Sequence, residues 1–417
     1  MTHLVTIEGL GARGEGVAHD GGHTIFLPWT VPGDVVALSD DGRMEALEAP
    51  SPDRVAPVCD YFTRCGGCAT QTVALPLQWR WKRDLVVAAL TQARLEAPVE
   101  ACIDAHGTGR RRATFHARRG EDGHMQVGFM AAGTHDLVVI DHCPLFAPDM
   151  AQALPAARAV ARALASTGKP LDIAVTASME GLDIDVRGTG PLDDPQQKAL
   201  IAAAARLDLA RVSNHGRTVI SFRTPTLRVG DIPVALPAGG FLQATQAGEN
   251  ALAACVLDAT QGAKRIADLF SGIGTFALRL ARRAEVLAVE SDAAAVAALR
   301  AAAGFATGLH ALRTEQRDLV RRPLTRTELN RFDAVVFDPP RAGAAEQAAE
   351  LSQSEVPLVV GVSCNPKTFG RDAKLLVDGG YTLERVTPVD QFRHSAHVEL
   401  VGAFRRARAK KKRKLLG

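Results

Sequence analysis

From about residue 240 the chain repeats one pattern, and that pattern constrains its fold more than any other feature. Short apolar runs at 266–270, 286–290, 332–338 and 357–363 alternate with helical stretches. Runs of this length read as buried strands. Strands alternating with helices build a parallel sheet through right-handed crossovers. Such a sheet binds ligands at the carboxyl ends of its strands, so the residues just after each run are the first candidates for chemistry. A boundary is expected near 235–240, at Pro237-Ala-Gly-Gly.

The first run opens into Asp268-Leu-Phe-Ser-Gly272-Ile-Gly274-Thr275-Phe-Ala277 and then a helix. Glycines at such a turn allow close approach by a ligand. The spacing also fits a dinucleotide fingerprint, with Glu290 placed to bind a ribose. Asp268 favours the cationic methionine end of S-adenosylmethionine over a pyrophosphate. The last run leads into Ser363-Cys364-Asn365-Pro366. Asn365 is a good N-cap and Pro366 a good first helical residue. Cys364 is therefore expected at a helix N-terminus, where the macrodipole lowers a thiol pKa and makes a nucleophile. Asp338-Pro-Pro-Arg brings a carboxylate to the same sheet edge, in position to bond the N–H groups of a planar ring. Farther on, Asp390-Gln-Phe392-Arg-His394-Ser-Ala-His397-Val-Glu399 enters a final strand. Read as a strand, it places His397 and Glu399 on one face and His394 on the other, which disfavours a metal and makes Glu399 a general base.

Upstream, residues 3–50 form short strands separated by Gly and Pro-Gly-Asp turns, the texture of a small β-barrel. Residues 76–95 look helical, with an apolar stripe through Trp79, Leu85, Val86 and Leu90, and 110–206 is mixed α+β. The cluster Arg110-Arg111-Arg112, with Arg118 and Arg119 around Phe115 and His116, suggests a phosphate-binding patch. The net charge is +3, yet residues 405–414 carry eight positive charges and no negative ones. The rest is net negative and the tail looks like a handle for a nucleic-acid backbone. No apolar run approaches a membrane span, and the N-terminus has no secretory pattern. A cytoplasmic protein without membrane attachment is the expectation. Thiols are then reduced, so Cys59, Cys65, Cys68 and Cys143 suggest a metal centre. Zinc and an iron–sulfur cluster both accept four thiolates. Cys102 and Cys255 read as packing residues.

Taken together, Cys59…Cys65-Gly-Gly-Cys68, Phe241-Leu-Gln243, Asp268-Leu-Phe-Ser-Gly-Ile-Gly-Thr, Asp338-Pro-Pro-Arg, Ser363-Cys-Asn-Pro and His397-Val-Glu399 resemble the RNA uracil-5-methyltransferases over nearly the whole chain. The cysteines resemble the iron–sulfur branch that acts on 23S ribosomal RNA. Thr245 stands where the family pattern has Asn. The resemblance implies a multidomain α/β chain: a TRAM-like barrel at 1–52, a central α+β domain with an iron–sulfur loop at 53–238, a Rossmann-like class I methyltransferase domain at 239–404, and a basic tail at 405–417. It implies a [4Fe-4S] cluster on Cys59, Cys65, Cys68 and Cys143. S-adenosylmethionine contacts are implied for Gln243, Phe270, Thr275, Glu290 and Asp318, with Asp338 beside the target base. Cys364 would add to C6 of uracil and Glu399 would remove the C5 proton, on an RNA substrate; a monomer is favoured, with the oligomeric state left open. Three rival readings are the same chemistry on transfer RNA, an NAD-dependent oxidoreductase, and a non-enzymatic RNA-binding protein with structural zinc.

Overall fold

A computed structural model of the chain describes residues 3–406. The basic tail lies outside the described residues, except for Arg405 and Arg406, which finish the last strand. Eight strands form the sheet that carries the site: β1 Ile103–Asp104, β2 Arg265–Leu269, β3 Glu285–Glu290, β4 Leu312–Gln316, β5 Ala334–Phe337, β6 Leu358–Ser363, β7 Tyr381–Asp390 and β8 Glu399–Arg406. Their spatial order is β4-β3-β2-β5-β6-β8-β7-β1. Pairs from β4 through β6 are parallel. Strand β8 inserts antiparallel between β6 and β7.

Apolar side chains cover both faces, as a parallel sheet requires. One face holds Leu252, Val256, Leu278 and Leu299, from the helices Gln246–Ala259, Ala277–Leu280 and Ala293–Phe305. The other holds Val86 and Leu90 from the helix Leu75–Gln92 and Phe369 and Leu376 from Pro366–Asp378. Residues 75–104, which chain order assigns to the central region, thus pack on the C-terminal sheet, and β1 extends its edge beside β7. Central residues form a seven-stranded sheet from Arg112–Arg119 to Arg217–Ser221, covered by the helices Ala153–Ala163 and Asp194–Arg206. At the N-terminus two three-stranded antiparallel sheets enclose a small core of Val5, Ile7, Ala18, Leu27, Val36 and Leu38.

The helix Leu75–Gln92 differs from its expected stripe. Its buried face is Gln78, Trp81, Lys82, Val86, Ala89 and Leu90, so two polar residues point inward. Lys82 is fully buried, and its ammonium donates to Asp390 Oδ1 at 2.5 Å and to the Phe392 carbonyl at 2.9 Å. Gln78 donates to the Thr70 and Val73 carbonyls and to the His394 ring. A polar residue is stable inside only when its partners are fixed. Asp390 ends β7, and Phe392 and His394 belong to the loop that follows, so the helix pins that loop.

Breaking a buried pair from one side leaves an uncompensated charge and costs about 3–5 kcal/mol. Lys82→Met is therefore expected to lower the unfolding free energy read from urea titration by that amount. A loss below about 1 kcal/mol would show that the pair does not hold the helix to the sheet.

Candidate active site

The glycine turn leaves β2 through three left-handed residues: Phe270 (φ 60°), Gly272 (φ 54°) and Gly274 (φ 95°). A Cβ on Gly274 would stand 2.4 Å from Leu299, so this glycine permits the close packing of the following helix layer. Gly272 donates its N–H to Glu290 Oε2 at 3.0 Å, which ties the turn to the end of β3. The helix expected to open at the turn is reduced to the four residues Ala277–Leu280, because the chain first makes turns through 272–276.

Three carboxyls meet at this turn. Asp268 is fully buried, and neither of its oxygens has a well-formed hydrogen bond. Burial pushes its pKa well above the carboxylate range, reinforced by Asp338 and Glu290 and opposed by the Ala277 N–H. Burial alone pushes Asp338 up to about 7. A cluster of such carboxyls disfavours a pyrophosphate beside it and suits a cation. This electrostatic character opposes the NAD reading.

Cys364 and Glu399 come together through strand register. Ser363 on β6 lies opposite Leu400 on β8, so Cys364, one residue on, meets Glu399, one residue back. Glu399 is buried, and burial together with Asp338 raises its pKa to about 8. Asn365 caps the helix Pro366–Asp378, accepting from the Lys367 N–H, which places Cys364 at that N-terminus. The thiol pKa nevertheless moves opposite to the expected direction. Burial pushes it up to about 11, with Glu399 and Asp338 adding to the effect. Desolvation and two nearby carboxyls outweigh a half-charge at the helix end. Before Cys364 opens a cavity of 880 Å³, walled by Arg13, Gly67, Arg341, Lys367 and His397.

Gln243 faces the same site: its Nε2 lies 3.4 Å from Asp338 Oδ2. Thr245 caps the next helix by accepting from the Gly248 N–H at 2.8 Å, the service an Asn would perform. Phe270 and Thr275 belong to the turn. Glu290 closes the end of β3, where it also accepts from the Ser291 N–H. Asp318 follows β4, exposed, with its carboxylate capping Val320 N–H at 3.0 Å.

Cys59, Cys65, Cys68 and Cys143 line a single cavity of 390 Å³. They do not converge on one point: among the described residues, no three His, Cys, Asp or Glu side chains form a group that could hold a metal ion. Tetrahedral zinc needs four sulfurs about 2.3 Å from one ion, which this arrangement does not supply.

Two expectations are corrected. Neither His394 nor His397 lies on a strand face, because β8 begins only at Glu399; His394 sits in a left-handed turn (φ 63°) and is buried against Gln78. The Arg110–Arg112 patch is not a free basic surface. Arg111 is buried, donates to Glu249 Oε2 at 2.5 Å and holds the Gln243 carbonyl. Arg110 lines the cysteine cavity with its guanidinium 5.7 Å from the Phe392 ring. Gln391 was missed: it is fully buried between Gln243 and Glu399. Its place in Asp390-Gln-Phe392, one residue from the motif's first acid, was the available signal.

Residues 226–407 match the family model described as tRNA (Uracil-5-)-methyltransferase. An RNA methyltransferase of Brucella suis is 44% identical over 98% of this chain and 99% of its own. A 23S rRNA (uracil(1939)-C(5))-methyltransferase of Chromohalobacter salexigens is 32% identical over 95% of this chain and 87% of its own. The chain belongs to the RNA uracil-5-methyltransferase family. It is an S-adenosylmethionine-dependent RNA methyltransferase. The solved tRNA (uracil-54, C5)-methyltransferase of Pyrococcus abyssi shares the fold, with a TM-score of 0.71 and 24% identity over 96% of this chain and 99% of that one. The C-terminal domain is accordingly a class I methyltransferase fold. Membership in an enzyme family removes the oxidoreductase and scaffold readings.

The raised pKa of Glu399 makes stability depend on pH. Between about 4.5 and about 8 the native carboxyl keeps its proton while the unfolded one loses it. The native state then binds more protons, so this contribution falls as pH rises through that window. Glu399→Gln is expected to remove the fall and to gain on the order of 3 kcal/mol relative to the parent between pH 5 and pH 8. Paired urea titrations at the two pH values read the difference, and parallel curves for parent and variant would refute it.

Proposed function

We propose that this enzyme methylates C5 of a uridine in 23S ribosomal RNA through a covalent adduct on Cys364. The observation that carries the reading is the meeting of Cys364 and Glu399 at the ends of adjacent antiparallel strands, beside Asp338. C5 of uracil is a weak nucleophile. Addition of the Cys364 sulfur to C6 moves the ring electrons toward C5. The hydrogen bond proposed for Asp338 then stabilises charge developing on the ring. S-adenosylmethionine supplies an electrophilic methyl group to C5. Glu399 takes the C5 proton, the electron pair of that C–H bond restores the C5–C6 double bond, and the C6–sulfur bond breaks to return the Cys364 thiolate. A carboxyl titrating near pH 8 is well matched to this role at neutral pH.

Gln243, Phe270, Thr275, Glu290 and Asp318 are the proposed contacts for the methyl donor, around the three carboxyls that suit its cationic end. The ring must leave its RNA stack to reach the 880 Å³ cavity. Arg13, Arg341 and Lys367 around that cavity, together with a TRAM-like N-terminal domain, are the proposed grip on phosphate. Cys59, Cys65, Cys68 and Cys143 are the proposed ligands of a [4Fe-4S] cluster. Its loop is hydrogen-bonded to the active-site loop, because Ala69 N–H donates to the His394 carbonyl at 2.7 Å. Ribosomal RNA is preferred to transfer RNA because the 32% identical relative acts on 23S rRNA, whereas the transfer RNA enzyme shares only the fold.

RNA carrying 5-fluorouracil has no C5 proton to remove, so it should trap a covalent complex stable to denaturing gels. Cys364→Ser should abolish that complex. With ordinary RNA, Glu399→Gln should accumulate a methylated adduct and turn over at least about a hundredfold more slowly, the usual scale for a general base. Normal turnover in Glu399→Gln would remove it from the proposed role. Mass mapping of 5-methyluridine in ribosomal and transfer RNA from cells lacking the gene decides the substrate.

A further inference from the structure

We propose that Gln391 is a positioning residue that couples the methyl-donor side of the site to the proton-accepting side, by directing hydrogen bonds from one amide to both Gln243 and Glu399. This inference rests on the proposed role of Glu399 as the base. Gln391 is fully buried, and its Nε2 lies 2.6 Å from Gln243 Oε1 and 3.0 Å from Glu399 Oε1. Its Oε1 accepts the backbone N–H of Thr245 at 3.3 Å.

The order of atoms is forced, not chosen. A backbone N–H can only donate, so it fixes the Gln391 oxygen toward Thr245 and the Gln391 amine toward the site. The amine then requires an oxygen from Gln243, which turns the Gln243 amine toward Asp338 Oδ2. One backbone N–H therefore sets the polarity of a chain running from Thr245 through Gln391 and Gln243 to Asp338, with a branch to Glu399. Both amides present donors to carboxyl groups, which they stabilise in the ionised form.

The surroundings are shaped for this side chain. A Cβ on Gly248 would stand 2.6 Å from Gln391 Oε1 and 2.7 Å from its Cβ. Gly248 lies in the first turn of the helix Gln246–Ala259, where glycine costs helix stability relative to alanine. The missing methyl leaves the space that Gln391 occupies. The base of the loop is fixed as well, since Asp390, the preceding residue, is held by Lys82.

Methionine fills the volume of Gln391 but cannot donate. In Gln391→Met the Glu399 carboxylate loses its donor, and its pKa rises further. The test measures breakdown of a preformed methylated adduct in single turnover across pH. The parent acid limb is expected near pH 8, and that of Gln391→Met about one pH unit higher. Breakdown at pH 7 should then be about tenfold slower. Affinity for S-adenosylhomocysteine should fall severalfold, because Gln243 loses its fixed orientation. Gly248→Ala, which keeps the amide but crowds it, should move the limb in the same direction in a variant shown to be folded by circular dichroism. A folded Gln391→Met whose limb stays with the parent overturns the proposal, as does an unshifted Gly248→Ala limb. If Glu399→Gln itself accumulates no adduct, the assignment of the base fails instead, and the two failures are read separately.

Discussion

The reversal of one strand makes this site. In a wholly parallel sheet each strand end delivers its loop to the same edge, and residues from distant segments meet only through loops. Here β8 runs antiparallel between β6 and β7. The end of β6 therefore meets the beginning of β8, and backbone hydrogen bonds set the separation of Cys364 and Glu399. Groups fixed by a ladder are held more tightly than groups on loops, which is the condition a proton transfer at a bound ring imposes. The pairing has a second consequence. Val389 faces Glu399 across β7 and β8, so the loop between those strands must turn back over the site and carry Gln391 into it.

Burial then decides the electrostatics. Asp268, Asp338 and Glu399 all have raised pKa values, and desolvation is the first cause in each. Acids this close in a dry site cannot all ionise without an opposing charge. The Cys364 thiol is raised by the same surroundings, despite its helix N-terminus. A site of this kind rests with its protons on and is responsive to an arriving cation, which lowers all of these values together. The helix dipole is a local contribution of fixed size, whereas the carboxyl field is one that ligand binding can reverse.

Much of this was legible in the sequence, for a physical reason. Gly272 and Gly274 announce a turn because only glycine takes those dihedrals without strain. Asn365 and Pro366 announce a helix start because capping chemistry is local. Where the geometry depends on residues far apart in the chain, local reading fails. Lys82 pairs with Asp390 across 308 positions, and Gln78 meets His394 across 316. Neither polar residue could be placed inward by helical periodicity, which expects apolar side chains there. Arg111 looked like part of a basic surface until Glu249, a helical residue 138 positions on, claimed it. Gln391 escaped notice because an amide has no charge and no motif of its own; its meaning appears only when Gln243 and Glu399 flank it.

The same long-range polar contacts join two chemistries that the sequence presents as separate. The cysteine loop contributes Gly67 both to the cavity lined by the four thiols and to the cavity before Cys364. Just after Cys68, the Ala69 and Thr70 N–H groups donate to the His394 carbonyl, and Gln78 closes the junction by bonding Thr70 and His394 at once. From the other side Arg110 reaches from the thiols to Phe392, whose ring meets His397 edge-on at 5.8 Å. His397 is two residues before Glu399. Hydrogen bonds at His394 and ring contacts at Phe392 thus tie the segment 392–397 to the cysteine loop and to Arg110, so its placement depends on residues far away in the chain.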